Sequence, residues 1–147
     1  MRRSKDILIK NALVLLLVLT VNVSDASDAI EGVWIVEDGD GLIEFQLRDE
    51  QLSGVIVGSV SDPNRTKPAR YDDLNPDPGL RQRPLLGLAI FTNLLSSGSN
   101  QWKGQVYDPN TGKTYKCTIT LVDADTLKIR GYIGFSLLGQ TRMWTRK

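Results

Sequence analysis

The stretch TYKCTITLVDADTLKIRGYI, residues 114–133, decides the fold. Tyr115, Cys117, Ile119 and Leu121 fall on every second position, with lysine or threonine between them. Asp123-Ala124-Asp125 then suits a tight reversal, after which Leu127 and Ile129 alternate with Lys128 and Arg130. A period of two on both sides of a short turn predicts two antiparallel strands, each with an apolar face and a wet face; a helix would repeat every 3.6 residues.

The same pattern recurs along the chain every eight to twelve residues or so. It predicts eight strands, near Val33–Glu37, Leu42–Arg48, Leu52–Val60, Leu86–Thr92, Trp102–Tyr107, Thr114–Val122, Thr126–Ile133 and Thr141–Arg146. Short links such as Asp38-Gly39-Asp40-Gly41 and Asp108-Pro109-Asn110-Thr111-Gly112 make neighbouring runs antiparallel. In the second run Ile43, Phe45 and Leu47 alternate with Glu44, Gln46 and Arg48. An open meander would leave two bare edges that invite aggregation, whereas closure removes both. The expectation is an all-β, antiparallel eight-stranded meander closed into a barrel, whose interior side chains fill or which holds one small ligand.

One segment resists this reading. Residues 71–87, YDDLNPDPGLRQRPLLG, carry Pro76, Pro78 and Pro84, which supply no ladder donor and fix an irregular path. A long Pro-rich loop on a rigid sheet is a place where function concentrates. Its acids and arginines either tie the loop to itself and the barrel rim, or form a lid that binds an anionic or polar headgroup. A hydrolase using Asp72, Asp73 or Asp77 as a carboxylate pair is the enzymatic rival.

The first residues read as an export signal: Arg2, Arg3, Lys5 and Lys10 precede the apolar run Ala12–Val21, followed by small residues around Ala26 and Ala29. The run is about half the ~20 residues a membrane span requires. The expectation is a signal peptide over residues 1–26, cut after Ala26 or Ala29, a single domain over 27–147, and a periplasmic or secreted product with no membrane span. Cutting after Ala26 leaves 14 Lys/Arg against 15 Asp/Glu, which argues against nucleic acid as a partner. Asp28–Glu50 holds eight acids against Arg48 alone, and Gln101–Lys147 holds eight bases against three acids. In a closed barrel those segments would meet.

The chain contains no histidine, which removes Ser-His-Asp and Cys-His catalysis and His-ligated zinc together. Asp38-Gly39-Asp40-Gly41 imitates the middle of a calcium loop, but the first ligand position falls on Val36 and the last on Leu47. Gly112-Lys113-Thr114 copies the tail of a phosphate loop, but the earlier glycine position falls on Tyr107 and a strand follows. No cofactor or metal is expected, and Cys117 reads as a buried thiol.

Two end signatures, Gly32-Val33-Trp34 and Arg142-Met143-Trp144-Thr145-Arg146, resemble the calycin pattern of lipocalins, in which an arginine from the last strand covers a tryptophan on the first. The mature chain also resembles a bacterial family of small exported proteins, domain of unknown function 2147. The resemblance is carried by Ile30-Glu31-Gly32-Val33-Trp34, Asn75-Pro76-Asp77-Pro78, Leu80-Arg81-Gln82-Arg83-Pro84-Leu85-Leu86-Gly87, Tyr107-Asp108-Pro109 and Arg130-Gly131-Tyr132-Ile133-Gly134. It implies a lipocalin-like barrel without implying an activity. The functional expectation is non-enzymatic binding of a small apolar or amphipathic ligand, or a structural role in the cell envelope; a protein–protein module is a further alternative. The candidate ligand-binding residues are Trp34, Asp72, Asn75, Arg81, Arg83, Arg130 and Arg142. Gly131 and Gly134 read as a corner needed for barrel closure.

Overall fold

The computed structural model describes residues 29–37, 39–133 and 139–147. The expected signal segment 1–26, Asp38 and Gly134 lie outside them. Eight strands form one closed barrel in simple sequence order: β1 (Gly32–Ile35), β2 (Gly41–Arg48), β3 (Gln51–Ser59), β4 (Ala89–Gly98), β5 (Gln101–Asp108), β6 (Lys113–Asp123), β7 (Thr126–Tyr132) and β8 (Gln140–Arg146). Every pairing is antiparallel, and β1 closes on β8 with Trp34 opposite Arg146. The acidic and basic ends of the chain meet at that seam, where Arg142 Nη1 lies 3.3 Å from Glu37 Oε2.

Seven strands lie within about two residues of the alternation that predicts them; β4 does not. The sequence reading ends it at Thr92, but the strand runs on to Gly98. Asn93 adopts a left-handed φ of 54°, and the register with β5 shifts between Thr92 and Leu95. This bulge breaks the period of two while keeping Leu94 buried and turning Leu95 outward.

The antiparallel meander puts its turns alternately at two ends. At the end holding β2–β3, β4–β5 and β6–β7, the interior is filled. Phe45 and Phe91 pack tilted at 52° with centroids 5.2 Å apart, Trp144 meets Phe91 edge-on at 5.5 Å, and Trp34, Leu52, Leu94, Ile119 and Leu127 pack around them. A Cβ at Gly54 would come within 2.9 Å of both Phe45 and Phe91, so the aromatic pair needs that bare backbone.

Trp34 is fully buried and donates from Nε1 to the Ile30 carbonyl at 2.9 Å. Arg146 lies over its ring, 4.2 Å from the centroid, and its three donor nitrogens reach the carbonyls of Ala124, Glu31 and Ala29 at 2.7, 2.9 and 2.6 Å. Gly32 completes this seal: its φ of 115° favours glycine, and a Cβ there would stand 3.1 Å from the Arg146 guanidinium. The covering arginine of the end signature is thus Arg146.

Candidate functional site

The other end of the barrel is hollow. A cavity of about 1440 Å³ runs from a floor of Phe91 and Trp144 up the inner walls to the turns after β1, β3, β5 and β7. Its lower walls are apolar, with Ile43, Ile56, Ile129 and Val106. Higher up, hydroxyls and charges appear: Tyr107, Tyr115 and Tyr132 on the wall, and Arg65, Lys67 and Arg70 on the long loop after β3. Arg142 reaches the cavity because β8 alternates, with Gln140, Arg142 and Trp144 all on the inner face.

Charge at the mouth is mixed but unequally spent. Asp40 accepts from the Ser59 hydroxyl at 2.7 Å and from the Ser61 amide at 2.9 Å, bonds that lower its pKa to about 2. Both oxygens of Asp62 accept from the Thr66–Lys67 turn, and Asp108 caps its own turn at Asn110 and Thr111. Arg142 donates to Glu37, whereas the loop cations donate to neutral oxygens: Arg65 to the Val57 carbonyl, Lys67 to the Ser61 hydroxyl and Arg70 to Asn110. Each loop guanidinium makes one such bond out of five donors, so acceptor groups on a ligand find donors here.

The Pro-rich loop crosses this end as a strap. Tyr71 and Pro84 form an antiparallel bridge, with Asp72 N donating to the Arg83 carbonyl and Leu85 N to that of Arg70. Asp77 caps a short 3₁₀ turn, Pro78–Leu80, by accepting from Gly79 N. The strap is fastened to β5 through Asp72, which is fully buried. Its carboxylate accepts from the Tyr107 hydroxyl at 2.5 Å, from Asn75 Nδ2 at 2.8 Å and from Arg83 at 2.8 Å. Burial alone would raise the Asp72 pKa, but those three bonds and the Arg83 charge outweigh it, and the net shift is downward. Burial, then Asp72, pushes the Tyr107 pKa up, so the phenol stays protonated. Gly112 sets the strap's second contact: at φ 68°, any Cβ would collide with the Leu74 carbonyl.

These placements sort the residues that the sequence nominated. Only Arg142 lines the cavity. Trp34 lies sealed at the opposite end. Asp72, Asn75 and Arg83 form the strap's buried fastening, and Arg81 donates to the Asn75 carbonyl. Arg130 points to the outer face, since Ile129 and Gly131 on either side face inward, and it donates to Thr141 at 2.9 Å. Of the acids in the hydrolase reading, Asp72 is an ionised carboxylate saturated with donors, Asp77 caps a turn and Asp73 is exposed. Among the described residues no group of three or more His, Cys, Asp or Glu side chains could hold a metal ion. Cys117 is buried, which raises its pKa to about 12. Strand parity alone would have nominated Ile129, Gly131 and Tyr115 as inward residues of the upper barrel. Arg65, Lys67 and Arg70 carry no sequence signal that distinguishes them from other loop cations.

The profile of DUF2147, described as uncharacterized protein conserved in bacteria, matches residues 32–146. Among solved structures, protein HP1028 from the human pathogen Helicobacter pylori, described as belonging to the lipocalin family, superposes with a TM-score of 0.72 at 23% sequence identity, over 80% of this chain and 82% of that one. The likeness is one of fold. No curated protein matches the chain.

Proposed function

Because this chain belongs to the DUF2147 family and has a lipocalin-like barrel, we propose that it is a non-enzymatic carrier of a small amphipathic molecule. The observation that carries this reading is a cavity of about 1440 Å³ with an aromatic and aliphatic lower half and an inward arginine above it. That combination suits a ligand whose apolar part rests on Phe91 and Trp144 and whose anionic headgroup meets Arg142 and the loop cations Arg65, Lys67 and Arg70 near the mouth. A buried apolar contact supplies affinity, and the charge fixes orientation.

The test uses fluorescence. Of the three tryptophans only Trp144 lines the cavity. Laurate should therefore change the emission of the wild type and leave Trp144→Phe nearly silent, while calorimetry still detects binding. Arg142→Ala should weaken laurate about tenfold and dodecanol little, one lost charge-assisted bond being worth roughly 1.5–3 kcal/mol. Failure of both compounds and of a broader, ring-bearing anion to bind would refute the reading.

Export remains part of the proposal. Among the described residues no helix is long and apolar enough to cross a membrane. The basic and apolar N-terminal pattern supports secretion, and the Ala29 carbonyl held by Arg146 favours cleavage after Ala26, since a cut after Ala29 would remove that acceptor. Mass measurement of the product exported by a bacterial host decides between the two.

A further inference from the structure

Resting on the carrier reading, we propose that the ligand's apolar part is several rings wide, not a single extended acyl chain, and that Gly131 is the specificity-determining residue that makes room for it. The shape of the cavity points that way. From Trp144 on the floor to Gln140 at the rim is four residues of β8, a depth of about 13 Å at the rise of a strand. A saturated chain spanning that depth holds roughly ten methylenes with bonds of about 1.5 Å. At about 30 Å³ for each water-sized group, such a chain fills on the order of 300 Å³. The cavity, including the vestibule under the strap, measures about 1440 Å³. One chain leaves most of it empty even if it is twice as long.

The width has an identifiable source. Gly131 occupies an inward position of β7, opposite Cys117 on one side and Gln140 on the other. Its φ is not in the left-handed region, and an added Cβ would meet only the Cβ of Tyr115 at 4.0 Å, an ordinary contact. Neither backbone nor packing requires glycine there, and glycine inside a strand weakens it. Gly58 also borders the cavity, but it pairs with Leu42 beside a bulge, and an added Cβ would turn toward Leu42, away from the inward Ile43 and Ile56. The missing side chain that widens the interior is therefore that of Gly131. Phe91, Trp144 and Tyr115 share that inner face, and Tyr107 and Tyr132 line the cavity toward its mouth, together half of the ten aromatic residues in the chain. Flat faces and a wide gap suit rigid rings, which stack on aromatic walls and lose little conformational freedom on binding.

Two anionic probes of different breadth test this: anilinonaphthalene sulfonate, with three aromatic rings, and laurate, with one chain. Calorimetry should give the ring probe at least about tenfold tighter binding to the wild type, a difference of roughly 1.4 kcal/mol. Gly131→Leu should reduce the ring probe's affinity about tenfold or more while changing that of laurate less than about threefold. Gly131→Ala, which adds one methyl where there is space, should keep the wild-type melting temperature and show a smaller loss of the same sign, so a misfolded leucine variant would not end the test. Laurate binding as tightly as the ring probe, or both affinities falling together in the two variants, would overturn the inference while leaving the carrier reading intact. Binding of neither probe to the wild type would refute the carrier reading itself.

Discussion

Two arginines on β8, four residues apart and both on the inner face, serve the two ends of the barrel differently. Arg146 at the filled end lies flat on Trp34 and bonds through all three of its nitrogens to three backbone carbonyls. Arg142 at the hollow end makes longer contacts, 3.3 Å to Glu37 and 3.4 Å to Gln140, and its side chain is half exposed. Residue type and strand parity are the same. What differs is how firmly the surroundings engage the guanidinium: an arginine bonded at short range through every nitrogen holds structure together, and one with a nitrogen left over and longer contacts is available to a ligand.

Arg146→Ala is the sharpest way to break this contrast. It removes a cation–π contact and three charge-assisted bonds to backbone carbonyls, so it should lower stability by about 3 kcal/mol in urea unfolding. Asp72→Asn comes next. It weakens the bonds to Tyr107 and Arg83 and should cost about 2 kcal/mol, with faster proteolysis at the strap and a far smaller effect on the filled end. A loss spread evenly over both ends would show that the strap and the seal are one unit.

The Asp72 effect should depend on pH. Its pKa is lowered in the folded state, so its contribution is present above the unfolded value of about 3.9 and is lost as pH falls through the folded value. The gap in urea midpoint between wild type and Asp72→Asn should therefore be full at pH 7 and shrink at pH 3. Arg142→Ala stands last: an exposed pair contributes no more than about 1 kcal/mol, so stability should barely move while laurate affinity falls. A stability loss equal to that of Arg146→Ala would erase the distinction between the two arginines. Cys117 supplies a check on the filled interior. With its pKa raised to about 12 by burial, the thiol should not react with a disulfide reagent at pH 8 until the protein unfolds.

Much of the fold is legible in the alternation of residues such as Ile43, Phe45 and Leu47, because a strand's two faces meet different solvents and the period of two records it. The β4 extension is not legible, because a bulge at Asn93 shifts that period by one. Of the nominated site residues, Arg142 reaches the cavity, while Asp72, Asn75 and Arg83 turn out to hold the strap. A loop acid reads the same whether it faces water or lies fully buried under a tyrosine 35 residues away.

The order of the chain by itself determined eight antiparallel strands, the meander and the absence of histidine chemistry, which follow from local periodicity and composition, while the Trp34–arginine seal was legible only through the resemblance of the two end signatures to the calycin pattern. Only the tertiary structure decided that one half of the barrel is packed and the other hollow. That outcome depends on which side chains from non-neighbouring strands meet inside: Phe45, Phe91 and Trp144 fill the lower half, and Gly131 leaves room above them. No local pattern records the volume left between opposite walls, because it is set by residues that come together only when the sheet closes.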